Sequence, residues 1–497
     1  MPELDFPAWI RITHVINIVF MSFLIRSGIE ILATHPKLYW NDHSKPGSEW
    51  AKFTRKQMPR DKLWDALDEE ESYSSIVSMP GHENLGLGRH WHFFSVIGWI
   101  LCGLVYVVLL FVTGEWTRYW PNSWAIFPRA VEDMITYLSF QLPPLLPGKP
   151  YNAVQMLTYA GVVFILAPFQ ILTGAAQSPA LEARFPWFVR AFGGRQWARS
   201  LHFFGLMAFL GFIFIHVFMV VVHGFGKEMA KMIFGVEIYP TTSAIITIAA
   251  LVALVGLHVV TTKYSLARPR NTQRALGFIV NNTRRLLFHH LSSHQEYSTS
   301  DITPEHRVNG KPPADDSYKI MAVHDFPGFE LEVTGLVENP RTFTLEELRT
   351  FPTKETQRVM HNCIQGWTSI AEWGGVPLSQ IVELVQPLPE ARYICFWTMQ
   401  HVARDEPAKA HLGGQFYEII DMNLAYHDQT ILAYEMNGEP LPIEHGAPLR
   451  LRVETQVGFK MAKWVYRIEF LSRYDDIGQG MGGWREDNVY YDKEGEI

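Results

Sequence analysis

Cysteine is scarce. The 497-residue chain has three, Cys102, Cys363 and Cys395, and one of them lies inside an apolar run, which excludes a disulfide framework. Positive charge is not in excess either: 43 Lys and Arg face 50 Asp and Glu, for a net charge of -7. With no basic stripe and no low-complexity arm, nothing invites nucleic acid. Internal repeats are absent. A cleavable signal peptide is not expected, because the first apolar run is of full span length and no small-residue cleavage site follows it. No twin-arginine signal precedes the polar half of the chain.

Apolar residues, by contrast, make up 48% of the chain and are concentrated before about Tyr264. Runs near Thr13–Leu32, Phe93–Thr113, Val154–Thr173, Leu201–Val222 and Ser243–Thr261 each approach the ~20 residues that cross a bilayer's hydrocarbon core. They predict five spans in contact with membrane lipid. Between the first two, Thr34–Arg89 reads as an extramembrane loop whose acidic run, Asp68–Glu71, is solvated. After the fifth span, 264–316 reads as a linker rich in Arg, His, Ser and Pro. Its His289, His290 and His294 read as surface residues, since no Cys or carboxylate stands at metal-ligand spacing. Farther on, short alternating runs such as Phe329–Val337, and a capping box of Thr344 with Glu347, predict an α+β domain. The fold class is therefore multi-domain: an all-α transmembrane bundle over 1–263, the linker, and an α+β domain over 317–497.

Histidine in a hydrocarbon span is costly and usually partnered. Taken singly, each reads as a core residue with a backbone partner, but four fall into a pattern. His14 opens span one, His92 opens span two, and span four carries His202 and His216. Fourteen helical residues separate the last two by ~40° around the axis and ~21 Å along it. Consecutive spans run antiparallel, so His92 matches His202 in depth and His14 matches His216. Two such pairs suit two stacked six-coordinate b haems, each iron taking an imidazole on both axial faces. His90 is the alternative to His92, disfavoured because Arg89-His90-Trp91 is interfacial in composition. His258 has no counterpart and reads as structural. Arg26, inside span one, reads either as a counter-ion to a haem propionate or as a snorkelling side chain. With Arg11-Ile12-Thr13-His14, Gly88-Arg89-His90-Trp91-His92-Phe93-Phe94 and Leu201-His202 through His216, the region from Trp9 to Phe234 resembles the di-haem cytochrome b subunits of formate dehydrogenases and nickel-iron hydrogenases.

In the polar half, His361-Asn362-Cys363-Ile364-Gln365-Gly366-Trp367 is followed by Trp373-Gly374-Gly375-Val376-Pro377-Leu378. A thiolate leading into a Gly- and Trp-rich turn can bind a soft metal beside a bulky cofactor, although a lone cysteine is more often a small buried hydrophobe. The alternation in Leu449–Val453 puts Arg450 and Arg452 on one face, either as phosphate donors or as a solvated strand face. Lys463 and Arg467 likewise share a face. Together with Leu432–Pro442, His445–Arg450 and Gly458–Trp464, these stretches resemble the sulfite oxidase family over about 302–483. The resemblance implies one molybdopterin, its molybdenum bound by Cys363, with His361, Asn362, His445, Arg450, Arg452, Lys460 and Lys463 at the cofactor. Sulfite oxidases follow their cysteine with an arginine, whereas Trp367 stands here. That looks more like the bacterial molybdopterin-dependent methionine sulfoxide reductases and disfavours sulfite. Trp367 and Arg358 join Cys363 as candidate catalytic residues, and Arg404 is a further candidate anion contact.

The combined expectation is a molybdenum oxidoreductase of the bacterial inner membrane. Quinol electrons pass through two b haems, and a small S- or N-oxide such as a sulfoxide is reduced by oxygen-atom transfer. A sulfite-type dehydrogenase running in the opposite direction, and a haem carrier with a non-catalytic soluble domain, are the alternatives. Oligomeric state stays open, a homo-oligomer included. The resemblance to the di-haem cytochromes implies an amino terminus inside, and five spans then place the soluble domain on the periplasmic or outer side. The positive-inside rule opposes this through Lys263, Arg268, Arg270, Arg274, Arg284 and Arg285.

Overall fold

The computed structural model describes residues 6–57, 65–121, 123–288, 293–493 and 495. Five helices are long and apolar enough to cross a membrane: α1 (Ala8–Thr34), α2 (Leu85–Val112), α3 (Ala153–Ala175), α4 (Arg195–Val222) and α5 (Pro240–Ala267). Each outruns its apolar stretch because polar flanks such as Arg195-Gln196 of α4 are helical too. A π-helical turn over Val162–Leu166 interrupts α3. Leu101, Leu104 and Val108 of α2 are more than half exposed, an outward apolar face that suits hydrocarbon. On the inner side α1 and α2 touch at Gly98, where a Cβ would come within 2.2 Å of the Phe20 ring.

Three readings of the sequence are corrected. First, Arg26 neither snorkels nor waits for a counter-ion: it donates to the carbonyls of Ser75 and Ser78, to Thr262 Oγ1 at 3.1 Å and to His258 Nδ1 at 2.8 Å. Second, the expected linker holds a 20-residue helix, α6 (Pro269–Phe288). Its buried stripe is Thr272, Gln273, Leu276 and Gly277, mostly polar or small, so hydrophobic periodicity alone misses it. Third, the acidic run is solvated only in part, for Asp68 is exposed but its neighbours are engaged. Glu69 is 2% exposed, paired with Lys37 and, at 3.1 Å, with Arg307, while Glu70 accepts from Gln365 Nε2 at 2.6 Å. The loop carrying it is folded between the membrane helices and the α+β domain, where a carboxylate persists only with a cation or donor beside it.

That domain is built from two five-stranded sheets. One runs in the order β2 (Arg341–Thr344), β1 (Glu330–Gly335), β10 (Val465–Leu471), β5 (Tyr393–His401), β6 (Gln415–Asp421). The other runs β8 (Glu439–Pro440), β7 (Thr430–Met436), β4 (Thr368–Pro377), β3 (Glu355–Asn362), with β9 (Arg450–Val453) also on β7. Leu331, Phe343, Phe396 and Phe470 of the first sheet and Trp373, Ile431 and Leu451 of the second belong to one core, all fully buried. The capping box forms as read, Glu347 N donating to Thr344 Oγ1 at 3.2 Å and Thr344 N to Glu347 Oε2 at 2.8 Å.

Candidate active site

Cys363 sits at the tip of the hairpin that joins β3 to β4, whose last paired residues are Asn362 and Thr368. Gly366 N donates to Cys363 O at 3.0 Å and Cys363 N to Trp367 O at 3.2 Å. This tight loop needs φ +109° at Gly366, a conformation that favours glycine. Gln365 is the hub inside it. Its Oε1 accepts from Trp367 Nε1 at 2.9 Å, from Asn309 Nδ2 at 3.2 Å and from the Cys363 thiol at 3.4 Å. Cys363 is 4% exposed and Trp367 is 1% exposed. Burial pushes the thiol up to about 11, so a thiolate is held here only when a cation replaces the proton.

The thiol opens into a cavity whose walls include His306, Asn309, His361, Trp367, His445, Arg450, Lys463 and Arg485. Burial, then Arg452, holds Arg450 well below its ordinary value. Burial, with Arg450 next, brings Lys463 down to about 7. His306 and His361 are likewise held far below theirs, by burial first. Crowded buried cations of this kind are relieved by an anion. Arg450 Nε, His306 Nδ1 and Asn309 Oδ1 also have no hydrogen-bond partner among the described residues. A pterin with a phosphate and several ring heteroatoms fits such a set of donors and acceptors. Among the described residues no group of three or more His, Cys, Asp or Glu gathers around a common point, so a metal at Cys363 would take its other ligands from a cofactor.

Of the residues expected at the site, Cys363, Trp367, His361, His445, Arg450 and Lys463 line this cavity. The others do not. Arg358 is on β3 but is spent on Glu372 at 2.7 Å and the Tyr297 carbonyl at 3.0 Å, which removes it from the catalytic set. Arg404 pairs with Asp405 and Asp315. Asn362 accepts from Arg195 of α4. Arg452, no solvated strand residue but 0% exposed, pairs with Glu454 at 2.6 Å and sits 3.0 Å from His361 Nδ1. It orients that ring from behind. Lys463 and Arg467 share no face, because Lys463 precedes β10 and lines the cavity whereas Arg467 pairs with Glu469 at 3.4 Å. His294 lies 3.5 Å from Asp428 at the surface, and His289 and His290 fall outside the described residues.

Lys460 is the plainest departure from the family reading. Its ammonium turns away from the cavity to Glu418 at 2.8 Å and to Glu486, and all three residues are buried. Lys460→Met strands two buried carboxylates, so about 3–5 kcal/mol of stability should be lost. Chemical denaturation of the purified variant checks this, and an unchanged midpoint would show the pair to be dispensable.

Sequence reading missed His306, Asn309, Arg485 and Tyr491, all on the cavity wall. The first two lie in the stretch taken for linker, where a Val308 carbonyl accepting from Ala66 N at 2.9 Å ties the chain to the membrane half.

In the membrane half, the His14 and His216 ring centres are 6.3 Å apart, tilted 56°. A metal–imidazole bond of about 2.0 Å plus roughly 1.1 Å from nitrogen to ring centre separates two axial imidazoles by about 6.2 Å, so the pair fits one iron. At the other depth His92 is within electrostatic reach of His202. Ser27 Oγ lies 3.1 Å from His92 Nδ1 and Thr173 Oγ1 lies 3.2 Å from His202 Nδ1, contacts of the kind that fix a ligating ring. Gln170 Nε2 is 3.1 Å from His202 Nε2. His90 is turned to the C-terminal segment, Nδ1 on the Gly86 carbonyl at 2.7 Å and Nε2 on Asp492 at 2.9 Å, whereas His92 lies near His202. His258 lies between Ser22 and Arg26. The two halves meet where α4 starts: Arg195 donates to Asn362 and Gln196 Nε2 donates to the Gly366 carbonyl at 2.8 Å. His202 follows Gln196 by six residues, about 9 Å of helix.

Residues 319–477 match the family model of the oxidoreductase molybdopterin binding domain, and residues 5–235 match that of prokaryotic cytochrome b561. A putative protein-methionine-sulfoxide reductase subunit, YedZ1 of Azospira oryzae, is 32% identical over 166 residues, 33% of this chain and 55% of that protein. The catalytic subunit of protein-methionine-sulfoxide reductase, MsrP, is 32% identical in Ralstonia nicotianae, over 29% of this chain and 44% of that protein. In Gluconobacter oxydans it is again 32% identical, over 32% of this chain and 51% of that protein. The chain thus spans about half the length of the curated relatives it matches. Among solved structures, the sulfane dehydrogenase SoxCD from Paracoccus pantotrophus is 28% identical over 29% of this chain and 38% of that chain, with a TM-score of 0.25, too low to bear on the fold.

Proposed function

We propose, from the premise that this chain is a cytochrome b561 membrane domain continued into a molybdopterin-binding oxidoreductase domain, that it draws electrons from quinol and reduces a sulfoxide by oxygen-atom transfer. The observation that carries this reading is the join between the halves. The helix bearing His202 and His216 begins at Arg195 and Gln196, and those two side chains grip the loop that presents Cys363.

A molybdenum–pterin held by Cys363 would accept the oxygen atom while giving two electrons to the sulfur, and b haems held by His92 with His202 and by His14 with His216 would return those electrons one at a time. The chain's own residues do the rest. Cys363 would give up its thiol proton and offer the metal a thiolate. Arg450 and Lys463 neutralise the pterin's phosphate. His361, oriented by Arg452, and His445 present ring nitrogens to the cofactor. Trp367 walls off the thiol and keeps bulk water from the reacting centre. Its presence in the hairpin where sulfite oxidases carry an arginine favours a neutral S-oxide over sulfite, in keeping with the activity for which the MsrP relatives are named. A periplasmic soluble domain is part of the proposal. Arg270, one of the cations that would argue for the cytoplasm, donates to the Asp487 carbonyl and stacks on Tyr490 at 4.8 Å, so docking accounts for it.

The test uses the detergent-solubilised holoenzyme. Reduced quinol should reduce the haems, and dimethyl sulfoxide should then reoxidise them within turnover. Haems that stay reduced in the presence of sulfoxide, or that sulfite reduces and quinone reoxidises, would reverse the reading.

A further inference from the structure

We infer that Arg485 and Tyr491 form the grip on the substrate's oxygen, a donor pair supplied by the C-terminal segment rather than by the hairpin of Cys363. The inference deepens the oxygen-atom-transfer reading and rests on it for the identity of that oxygen.

Both side chains are on the wall of the Cys363 cavity, and both lie beyond residues 319–477 that match the molybdopterin-binding domain. Arg485 is on the short helix Trp484–Val489 and Tyr491 follows it. The segment is fixed at several points. Asp487 accepts from the Tyr417 hydroxyl, from Gln479 N at 2.9 Å and from Met481 N at 3.1 Å. Gln273 of α6 donates to the Tyr491 carbonyl at 3.0 Å, and Asp492 pairs with His90 of α2 at 2.9 Å. A donor on such a segment is held in place before substrate arrives, so little ordering entropy opposes binding.

The other cations around the cavity have carboxylate or carbonyl partners, and Arg450 and Lys463 are assigned to the pterin's phosphate. Arg307 is paired with Glu69, Arg450 donates to the His445 carbonyl at 2.8 Å, and Lys463 donates to the Glu444 carbonyl at 2.8 Å. Arg485 makes neither an ion pair nor a hydrogen bond among the described residues. Glu70 and Glu406, the carboxylates within its electrostatic reach, are engaged by Gln365 at 2.6 Å and by Gln400 at 2.8 Å. Its reach includes the Cys363 sulfur. Tyr491 has its ring fixed against Phe459, 5.0 Å between centres, and its hydroxyl is a second donor in the same wall. The oxygen of an S–O bond carries much of a full negative charge, and a planar guanidinium with a neighbouring hydroxyl is a matched set of donors for it. Trp367 has only an indole N–H, already given to Gln365, so the hairpin offers nothing equivalent.

Sulfate, an S–O ligand, tests the pair by binding alone. Calorimetry on the oxidised holoenzyme at matched molybdenum and haem content should show Arg485→Gln weakening sulfate binding about 10- to 100-fold. Tyr491→Phe should weaken it by about three- to tenfold. Arg485→Lys should recover part of the loss and guards against a folding artefact. In turnover, Arg485→Gln should raise KM for dimethyl sulfoxide more than it lowers kcat. Equal sulfate affinity in wild type and Arg485→Gln overturns the inference, even if sulfoxide reduction is intact. Weakened sulfate binding in a protein that never reduces sulfoxide would leave the grip standing and sink the proposed activity instead.

Discussion

A Cys363→Ser protein should insert in the membrane, keep its full b-haem spectrum and lose sulfoxide reductase activity by at least about a thousandfold, some 4 kcal/mol of transition-state stabilisation. The asymmetry follows from where the residue sits. Its hairpin touches the cytochrome half through backbone and amide groups, Gly366 O and Asn362 Oδ1, which a Cys-to-Ser change leaves alone. Serine is close to cysteine in volume, and the loop's closure depends on Gly366 and on the Cys363 backbone, so the fold has no reason to respond. What changes is the ligand atom. A hydroxyl is a far weaker donor than a thiolate to a soft metal, and the described residues offer no cluster of alternative ligands nearby. Elemental analysis should therefore find molybdenum depleted while haem absorbance is unchanged. Retained activity with serine in place would mean that the metal is held elsewhere.

The parts of this molecule that could be read from the chain are those in which chemistry forces a local pattern. Twenty-residue apolar runs announce spans because no other composition tolerates hydrocarbon, and all five appear as helices. Cys363 with Gly366 and Trp367 was legible because a hairpin loop must place its special residues in sequence. What escaped is what only tertiary partners decide. The charges Asp68–Glu71 look solvated in one dimension, yet Glu69 is buried because Lys37 and Arg307 converge on it from either side of the chain. Lys460 sits in a stretch that resembles pterin-binding sequence, but two acidic residues, 42 and 26 positions away in their respective directions, capture its ammonium. His306 and Asn309 carry no motif at all. They reach the cavity because the chain between the halves is pinned down by Ala66 N on Val308 O and by Gly310 N on Asp65 at 3.1 Å. Such contacts join residues more than 200 positions apart, beyond any periodicity.

On the proposed assignment of two b haems and a quinol donor, replacing His216 with alanine should remove one haem and cut quinol-driven turnover by at least about a hundredfold, close to 3 kcal/mol at the limiting step. The 6.3 Å between the His14 and His216 ring centres is the separation that one iron with two axial imidazoles requires. Neither ring can serve that iron alone as a low-spin centre, so His14→Ala should give the same half-intensity spectrum. The damage should stop at that depth. His92 and His202 stand on the other pair of helix ends, about 21 Å along α4 from His216, with their own partners in Ser27 and Thr173. The remaining haem should therefore be present, and a small soluble reductant that bypasses quinol should still drive sulfoxide reduction at near the wild-type rate. His258 provides the control, because its ring is held by Ser22 and Arg26 in the bundle rather than by a facing imidazole, and His258→Ala should keep both haems. A pyridine haemochrome assay reports the count directly. Two haems per chain in His216→Ala, or one in His258→Ala, would require a different assignment of the ligands, and with it a different route for the electrons from quinol to the Cys363 hairpin.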